Sequence, residues 1–202
     1  GTDGSTSFPD SSYSSKAVTA NGNAQVDTAQ SVFGGASGLF DGTTDFLTTP
    51  DSPDWNFGTG SFTVDFRVRF NSLVNTQAFF TQRVDSSNYQ IFEWSNGNEL
   101  IYEVADAGVT VIQFRRSWTP STNTWYHIAL VREESNFRVF VDGAQLGLTD
   151  IDSDGVPDLA AEMRIGTAIS GTFDLNGWLD EFRMVKGTAI WTANFTIPSA
   201  SY

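Results

Sequence analysis

An acidic stretch between Thr149 and Glu162 has the residue types and the spacing that could bind a metal ion. Calcium takes about six to eight oxygen ligands, and alternating carboxylates on a tightly turned backbone supply them. Counted from Asp150 as position 1, Gly155 falls at position 6, where a calcium loop needs a sharp turn. The predicted calcium ligands are four carboxylates and one backbone carbonyl: Asp150, Asp152, Asp154, Val156 and Asp158.

The acidic stretch is also compatible with a solvated hairpin loop, because Asp favours turns. It departs from an EF-hand, since flanking helices are not indicated and Glu162 falls at position 13 rather than 12. Four carboxylates within nine residues repel one another without a cation, which favours calcium. We expect the ion to order the loop, and direct contact between calcium and a ligand is the alternative.

A second group of residues combines aromatic rings with arginines. Aromatic rings stack on the apolar faces of sugars, while neighbouring polar groups bind the hydroxyls. The segment Gln113–Pro120 crowds two Arg and a Trp where a predicted strand runs into a loop, and loops commonly carry the binding surface. The candidate ligand-binding residues are Trp94, Tyr102, Arg115 and Trp118, with Arg116 beside them. Alternatively, the arginines balance local acids and Trp118 covers the edge of a sandwich.

The sequence carries no pattern typical of an enzyme active site. Its one histidine, His127, is flanked by apolar residues in a predicted strand, which favours a hydrogen-bonded core residue over a catalytic base. Asp180 and Glu181 are adjacent, so in a strand they point to opposite faces. Motifs for a Ser or Cys nucleophile or a phosphate-binding loop are absent. We therefore predict a protein without catalytic activity, unless two carboxylates face each other in a cleft.

Composition excludes several classes of protein. A chain of 202 residues with 40% apolar content and 17 Phe suits one domain with a large core. The net charge of −13 repels phosphate backbones and anionic headgroups, so we expect no nucleic-acid partner. No apolar run approaches the ~20 residues of a spanning helix, so we expect no membrane insertion. The chain lacks Cys, and it begins at Gly1 without a signal peptide, which indicates a processed, trimmed or partial chain.

The secondary structure around these residues is predicted to consist of β-strands. Ser61–Phe70 alternates strictly between apolar and polar residues, the pattern of a half-buried strand. Shorter stretches with similar patterns lie at 78–84, 89–95, 99–104, 109–116, 126–132, 137–143 and 178–185. Turn-forming residues separate them, which predicts an all-β, two-sheet antiparallel β-sandwich or jelly roll. We further predict a helix of at most two turns at Gly187–Phe195 and a weak hairpin around Asn21-Gly22.

Four segments, taken in their order and spacing, resemble a known family. They are Val32–Pro50, Phe57–Phe70, Thr124–Gly147 and Gly177–Pro198. Together they resemble the laminin G-like jelly roll of the concanavalin A-like lectin and glucanase superfamily, as found in phage structural and secreted bacterial surface proteins. The resemblance implies a single concanavalin A-like domain over residues 1–202. Members usually carry an apolar first strand that is missing here, so we expect that it is trimmed or supplied by another chain.

The resemblance also implies a function. We expect a non-catalytic binding or adhesion module that recognises a glycan or surface polysaccharide, outside a cell or on a virion surface. The glucanase signature Glu-x-Asp-x-x-Glu of the superfamily is absent from this chain. The alternative is an architectural virion, fibre or filament subunit, whose partners are copies of itself or another virion or fibre protein. The position of Asp180 in relatives further implies a second calcium site, shared with Asp41 or Asp10.

Overall fold

The computed structural model describes residues 1–169 and 171–202. Within them the chain forms two antiparallel sheets that enclose one large hydrophobic core, with a short 3-10 turn at Pro53–Trp55. The described residues include no helix long and apolar enough to cross a membrane. The predicted all-β sandwich is confirmed.

The first sheet has seven strands. In spatial order they are β1 (Thr19–Asn21), β4 (Phe46–Thr49), β14 (Met163–Ile165), β6 (Gln77–Arg83), β7 (Tyr89–Ser95), β8 (Glu99–Asp106) and β9 (Val109–Ser117). The last four are joined in sequence as neighbouring antiparallel strands, so β6 to β9 form a continuous surface.

The second sheet has eight strands. In spatial order they are β12 (Ala144–Gln145), β11 (Asn136–Val141), β10 (Trp125–Glu133), β5 (Phe62–Phe70), β15 (Asn176–Lys186), β3 (Ser37–Asp41) and β2 (Gln25–Asp27), with β13 (Asp150–Ile151) paired to β11. Strand β5 is central, because it pairs with both β10 and β15.

The core lies between the two sheets and is built from aromatic rings. Phe62, Phe66 and Phe70, the apolar face of β5, are fully buried, as their alternation predicts. Phe66 packs on Phe79 of the first sheet with 4.8 Å between ring centroids, and Phe79 packs on Phe92 at 5.4 Å. Aromatic pairs of this kind contribute about 0.5–1.5 kcal/mol each beyond the burial of their area.

The outer face of the second sheet is covered by residues 187–202, which we call the C-terminal strap. The predicted helix at Gly187–Phe195 is wrong, since the strap has no regular secondary structure. Trp191 and Phe195 stack with 4.0 Å between their centroids, and Phe195 packs edge-on against the buried Phe140. Burial of these rings on the sheet outweighs any local preference for a helix.

Asp65 is fully buried, although the alternation of Ser61–Phe70 places it opposite the core face. Arg183 donates to both of its oxygens, at 2.9 and 3.2 Å, and the Tyr202 hydroxyl donates to it as well. His127 is fully buried with Nε2 3.3 Å from Asp65 Oδ2, so the prediction of a hydrogen-bonded core histidine is confirmed. Strand β5 is thus buried on both faces rather than one.

The predicted hairpin around Asn21-Gly22 is wrong. The strands on either side of this turn belong to different sheets, because β1 pairs with β4 and β2 pairs with β3. The buried carboxylate of Asp45 accepts hydrogen bonds from the backbone N–H groups of Asn23 and Asp41. The corner is therefore stabilised by the Asp45 side chain, which lies more than twenty residues further along the chain and is not part of the local sequence pattern.

Candidate functional site

The outward face of the first sheet carries a shallow groove, which we call the sheet groove. Its volume is about 150 Å³. The floor comes from β6 to β9 and consists of Arg83, Tyr89, Ile91, Glu93, Ile101, Glu103 and Arg115. The segment between β14 and β15 forms a wall with Ile169 and Phe173. Apolar surface with a few polar groups is the usual composition of a small-ligand site.

The register of the strands explains why these side chains share one face. Glu93 lies opposite Ile101 in the β7–β8 ladder, and Ile101 lies opposite Arg115 in the β8–β9 ladder. In a neighbouring row, Ile91 lies opposite Glu103. Diagonal neighbours of an antiparallel pair are about 7–8 Å apart, so the charges of Glu93 and Glu103 interact.

Glu103 accepts hydrogen bonds from two neighbouring side chains. The Tyr89 hydroxyl donates to Oε1, and the Gln113 amide donates to Oε2. Burial, together with the hydrogen bond to Glu103, raises the pKa of Tyr89 to about 12, so its proton stays on the phenol. The Arg83 guanidinium lies 5.0 Å from the centre of the Tyr89 ring.

Glu93 has the opposite environment. Its Oε2 is buried and finds no hydrogen-bond partner among the described residues. Burial and the nearby charge of Glu103 raise the pKa of Glu93 to about 7, against the opposing effect of Arg115. Arg115 itself pairs with Glu99 at 3.4 Å. A buried oxygen without a partner costs free energy, and it disfavours the charged form of this carboxyl.

Phe173 forms the wall of the sheet groove with an unusual backbone. The residue is 42% exposed and its φ is 61°, in the left-handed region that bulky side chains rarely adopt. Its carbonyl accepts a hydrogen bond from the Ala78 N–H at 2.8 Å, which fixes it beside the start of β6. Such a backbone costs on the order of 1–3 kcal/mol and is often found at ligand sites.

The structure separates the four predicted ligand-binding residues. Arg115 lies in the sheet groove. Trp94 and Tyr102 are 1% and 0% exposed and belong to the core, so a ligand on the surface does not reach their rings. Trp118 is half-buried and packs on Phe70 and Tyr126, at 6.1 and 5.0 Å between centroids. It covers the edge of the sandwich, which is the alternative to ligand binding that the sequence left open for Trp118.

Three residues of the sheet groove were not among the predicted ligand-binding residues, namely Tyr89, Glu93 and Phe173. Strand β7 alternates, and its Trp94 shares a face with buried Phe92, so Tyr89, Ile91 and Glu93 face outward. This parity was a usable signal for Tyr89 and Glu93. The signal for Phe173 was weaker, namely one aromatic residue among turn-forming residues.

The chain matches a known protein family over most of its length. Residues 41–189 match a laminin G-type family model described as the concanavalin A-like lectin/glucanases superfamily. The chain belongs to this superfamily. The resemblance seen in the sequence is thereby confirmed. No curated protein sequence matches the chain.

Several solved structures have a fold similar to that of this chain. Domain 4 of AbnA, a GH43 extracellular arabinanase from Geobacillus stearothermophilus in complex with arabinotriose, is 15% identical with a TM-score of 0.66, over 87% of this chain and 84% of that one. The botulinum neurotoxin serotype G binding domain is 14% identical with a TM-score of 0.68, over 90% of this chain and 45% of that one. The chain thus spans less than half of that toxin domain.

A carbohydrate-binding domain is also similar. The CBM40 of the Ruminococcus gnavus IT-sialidase, bound to α2,3-sialyllactose, is 11% identical with a TM-score of 0.54, over 66% of this chain and 78% of that one. At such low identity these similarities show the fold alone. The ligand of this chain depends on its own surface residues.

The acidic loop is held by contacts within the protein. Asp150 forms an ion pair with Arg116 of β9, and Arg116 also donates to the Leu148 carbonyl. The Val156 carbonyl accepts from the N–H of Gly58 at 3.1 Å, and the Val156 N–H donates to the Gly58 carbonyl at 2.9 Å. Two of the five expected calcium ligands are therefore engaged elsewhere.

The remaining carboxylates of the loop do not converge. The Asp154 N–H donates to Asp152 Oδ1 at 2.8 Å in a local turn, and Asp158 is exposed. Among the described residues no group of three or more His, Cys, Asp or Glu side chains could hold a metal ion. This arrangement fits the alternative of a solvated acidic loop, and the calcium hypothesis stays a prediction.

Asp180, Asp41 and Asp10 cap three separate turns. Asp180 accepts from the N–H groups of Val32 and Phe33, at 2.7 and 3.1 Å. Asp41 accepts from Thr43, and Asp10 from Ser12 and Lys16. The second calcium site that the resemblance implies is not assembled in this arrangement.

Proposed function

We propose that the domain is a non-catalytic binding module and that the sheet groove binds a neutral carbohydrate. The observation that carries the proposal is the half-buried carboxyl of Glu93, which lines the sheet groove and leaves its Oε2 without a hydrogen-bond partner among the described residues. Sugar hydroxyls in the groove can form hydrogen bonds with the part of the Glu93 carboxyl that lines it, while Ile91 and the Phe173 ring offer apolar surface to the sugar ring.

The charges around the groove favour a neutral ligand. Glu103 and the partly protonated Glu93 are balanced by Arg83 and by Arg115, which already pairs with Glu99. The net charge of −13 also repels acidic polysaccharides. The sugar-bound arabinanase domain and CBM40 show that sandwiches of this fold can carry sugar sites.

Display outside a cell belongs to the same proposal. One similar domain comes from an arabinanase described as extracellular. Display on a virion rests on the sequence resemblance only. An architectural subunit is the alternative, and it would bury the sheet groove against a neighbouring subunit instead of leaving it open.

The test is isothermal titration calorimetry with arabino- and cello-oligosaccharides. Glu93→Ala removes the unpartnered acceptor and should weaken binding about tenfold, the equivalent of one good hydrogen bond. Glu93→Gln keeps one acceptor oxygen and should retain part of the affinity. Glu133→Ala removes a carboxylate from β10 on the other sheet and should change nothing. If the wild type binds none of these sugars, or Glu93→Ala binds them equally well, the proposal fails.

The second candidate function is glycoside hydrolysis, because the carboxyl groups of Glu93 and Glu103 both lie in the sheet groove. Glu93 keeps its proton up to a pH of about 7, and Glu103, which accepts hydrogen bonds from Tyr89 and Gln113, lies diagonally across from it on the same face of the sheet. Glycosidases use a pair of carboxyl groups, one of which keeps its proton. We expect no new reducing ends when the oligosaccharides are incubated with the protein. Hydrolysis that disappears in both Glu93→Gln and Glu103→Gln would make the domain an enzyme.

A further inference from the structure

A second depression adjoins the sheet groove, and we call it the amide pocket. Its volume is about 350 Å³. Its lining includes Asn75, Thr76, Asn96, Thr172, Phe173 and Asp174. Thr172 and Phe173 line the sheet groove as well, so the two depressions meet at the Phe173 wall.

The strands fix the two depressions in line with each other. Asn96 follows β7 directly, three residues beyond Glu93, which is about 10 Å along an extended strand. Thr76 directly precedes β6, and its Oγ1 lies 3.5 Å from the side-chain oxygen of Asn96. Phe173 is tied through its carbonyl to Ala78, two residues beyond Thr76. A ligand that runs along β7 from the sheet groove therefore enters the amide pocket.

The amide pocket offers hydrogen bonds without free charge. Asn75 and Asn96 are exposed; the Asn96 amide donates to the Val74 carbonyl at 3.2 Å, but an amide has two N–H groups and two lone pairs, so both side chains can still donate to and accept from hydroxyls. Asp174 is buried, and its oxygens accept from the Thr167 hydroxyl at 2.5 Å and the Thr44 N–H at 2.7 Å. Its carboxylate is thus occupied, and the pocket suits a neutral polyhydroxylated unit.

We infer that the domain binds an oligosaccharide chain across both depressions, with one part in the sheet groove, one part in the amide pocket and the Phe173 ring between them. The inference rests on the proposed function and adds a ligand length to it. A single sugar unit fills one depression only. Affinity should therefore rise with chain length until the chain spans the Phe173 wall, because each filled depression adds contacts.

Calorimetry with arabino- and cello-oligosaccharides of one to four units tests this inference. We expect the longer chains to bind at least about tenfold more tightly than the single unit. In the double variant Asn75→Ala/Asn96→Ala this gain should disappear, while the affinity for the single unit stays unchanged. Asn194→Ala, which alters an exposed amide on the C-terminal strap, is the matched control and should keep the gain.

Phe173→Ala is an independent probe of the wall. It should weaken binding of all lengths, whereas Tyr13→Ala removes a ring that is fully exposed elsewhere and should have no effect. The melting temperature of each variant shows whether it is folded.

The outcomes separate this inference from the proposed function. If sugars bind in a Glu93-dependent way but length brings no gain, the extended site is wrong and the sheet groove stands. If the gain survives in Asn75→Ala/Asn96→Ala, the chain leaves the groove in another direction, and the inference is again wrong. If no sugar binds at all, both fail.

Discussion

Glu93→Gln should stabilise the protein at alkaline pH, because Glu93 carries its charge in a place that disfavours it. The pKa of Glu93 is raised from 4.5 to about 7, with burial as the largest cause. Between these values the folded protein holds a proton that the unfolded chain has released. Stability therefore falls as the pH rises from about 4.5 to about 7, and it stays flat above that range.

The magnitude follows from the size of the shift. A shift of about 2.5 units at about 1.4 kcal/mol per unit gives about 3 kcal/mol as an upper limit. The amide that replaces the carboxyl has no proton to lose. Glu93→Gln should therefore match the wild type near pH 4.5 and exceed it by up to about 3 kcal/mol at about pH 8. For a domain of this size that corresponds to roughly 6–12 °C in melting temperature.

Urea unfolding followed by circular dichroism at pH 4.5, 6 and 8 measures the difference. Glu133→Gln is the matched control, because the carboxyl of Glu133 is exposed at the surface, where its ion pair with Arg138 contributes about 1 kcal/mol at most. If the difference between Glu93→Gln and the wild type does not grow with pH, the carboxyl of Glu93 is not buried and unpartnered. The proposal that the sheet groove binds a carbohydrate through Glu93 would then lose its main support.

Two further predictions concern the scaffold and the acidic loop. Gly177→Ala should cost more than about 3 kcal/mol of unfolding free energy in urea or prevent folding, since a Cβ at this position would overlap the Arg69 carbonyl oxygen. Gly187→Ala should cost only about 1 kcal/mol, because its φ of 85° is strained but nothing lies within 4 Å; equal costs would contradict the clash. The calcium hypothesis predicts that calcium raises the melting temperature and that Asp152→Asn/Asp154→Asn abolishes the rise; an unchanged temperature in the wild type would contradict it.

Local pattern predicted the scaffold well. Strand β7 occupies the predicted residues 89–95, because alternation within one strand reports directly on which side chains are buried. The same rule failed for the polar face of β5. Asp65 is buried by Arg183 and Tyr202, which lie 118 and 137 residues further along the chain. Nothing in the local sequence of β5 indicates that a distant strap covers it.

The candidate site was harder to predict than the fold. An aromatic residue is equally suited to a core and to a sugar platform, so Trp94 and Tyr102 were chosen by residue type although their parity places them inside. The pKa of Glu93 is raised first by burial within the sheet and then by the charge of Glu103, which β8 brings beside it. Such a site is a property of strand pairing, and a single strand does not contain it.

Hydrogen–deuterium exchange with the tightest-binding oligosaccharide of the panel locates the bound sugar and so decides whether the sheet groove is its site. Sugar bound in the sheet groove should slow exchange at saturation in β7, in β8 and in residues 171–175, with no change at Trp118 or in the C-terminal strap. Protection centred on Trp118, or on the acidic loop, at saturating sugar would contradict this site.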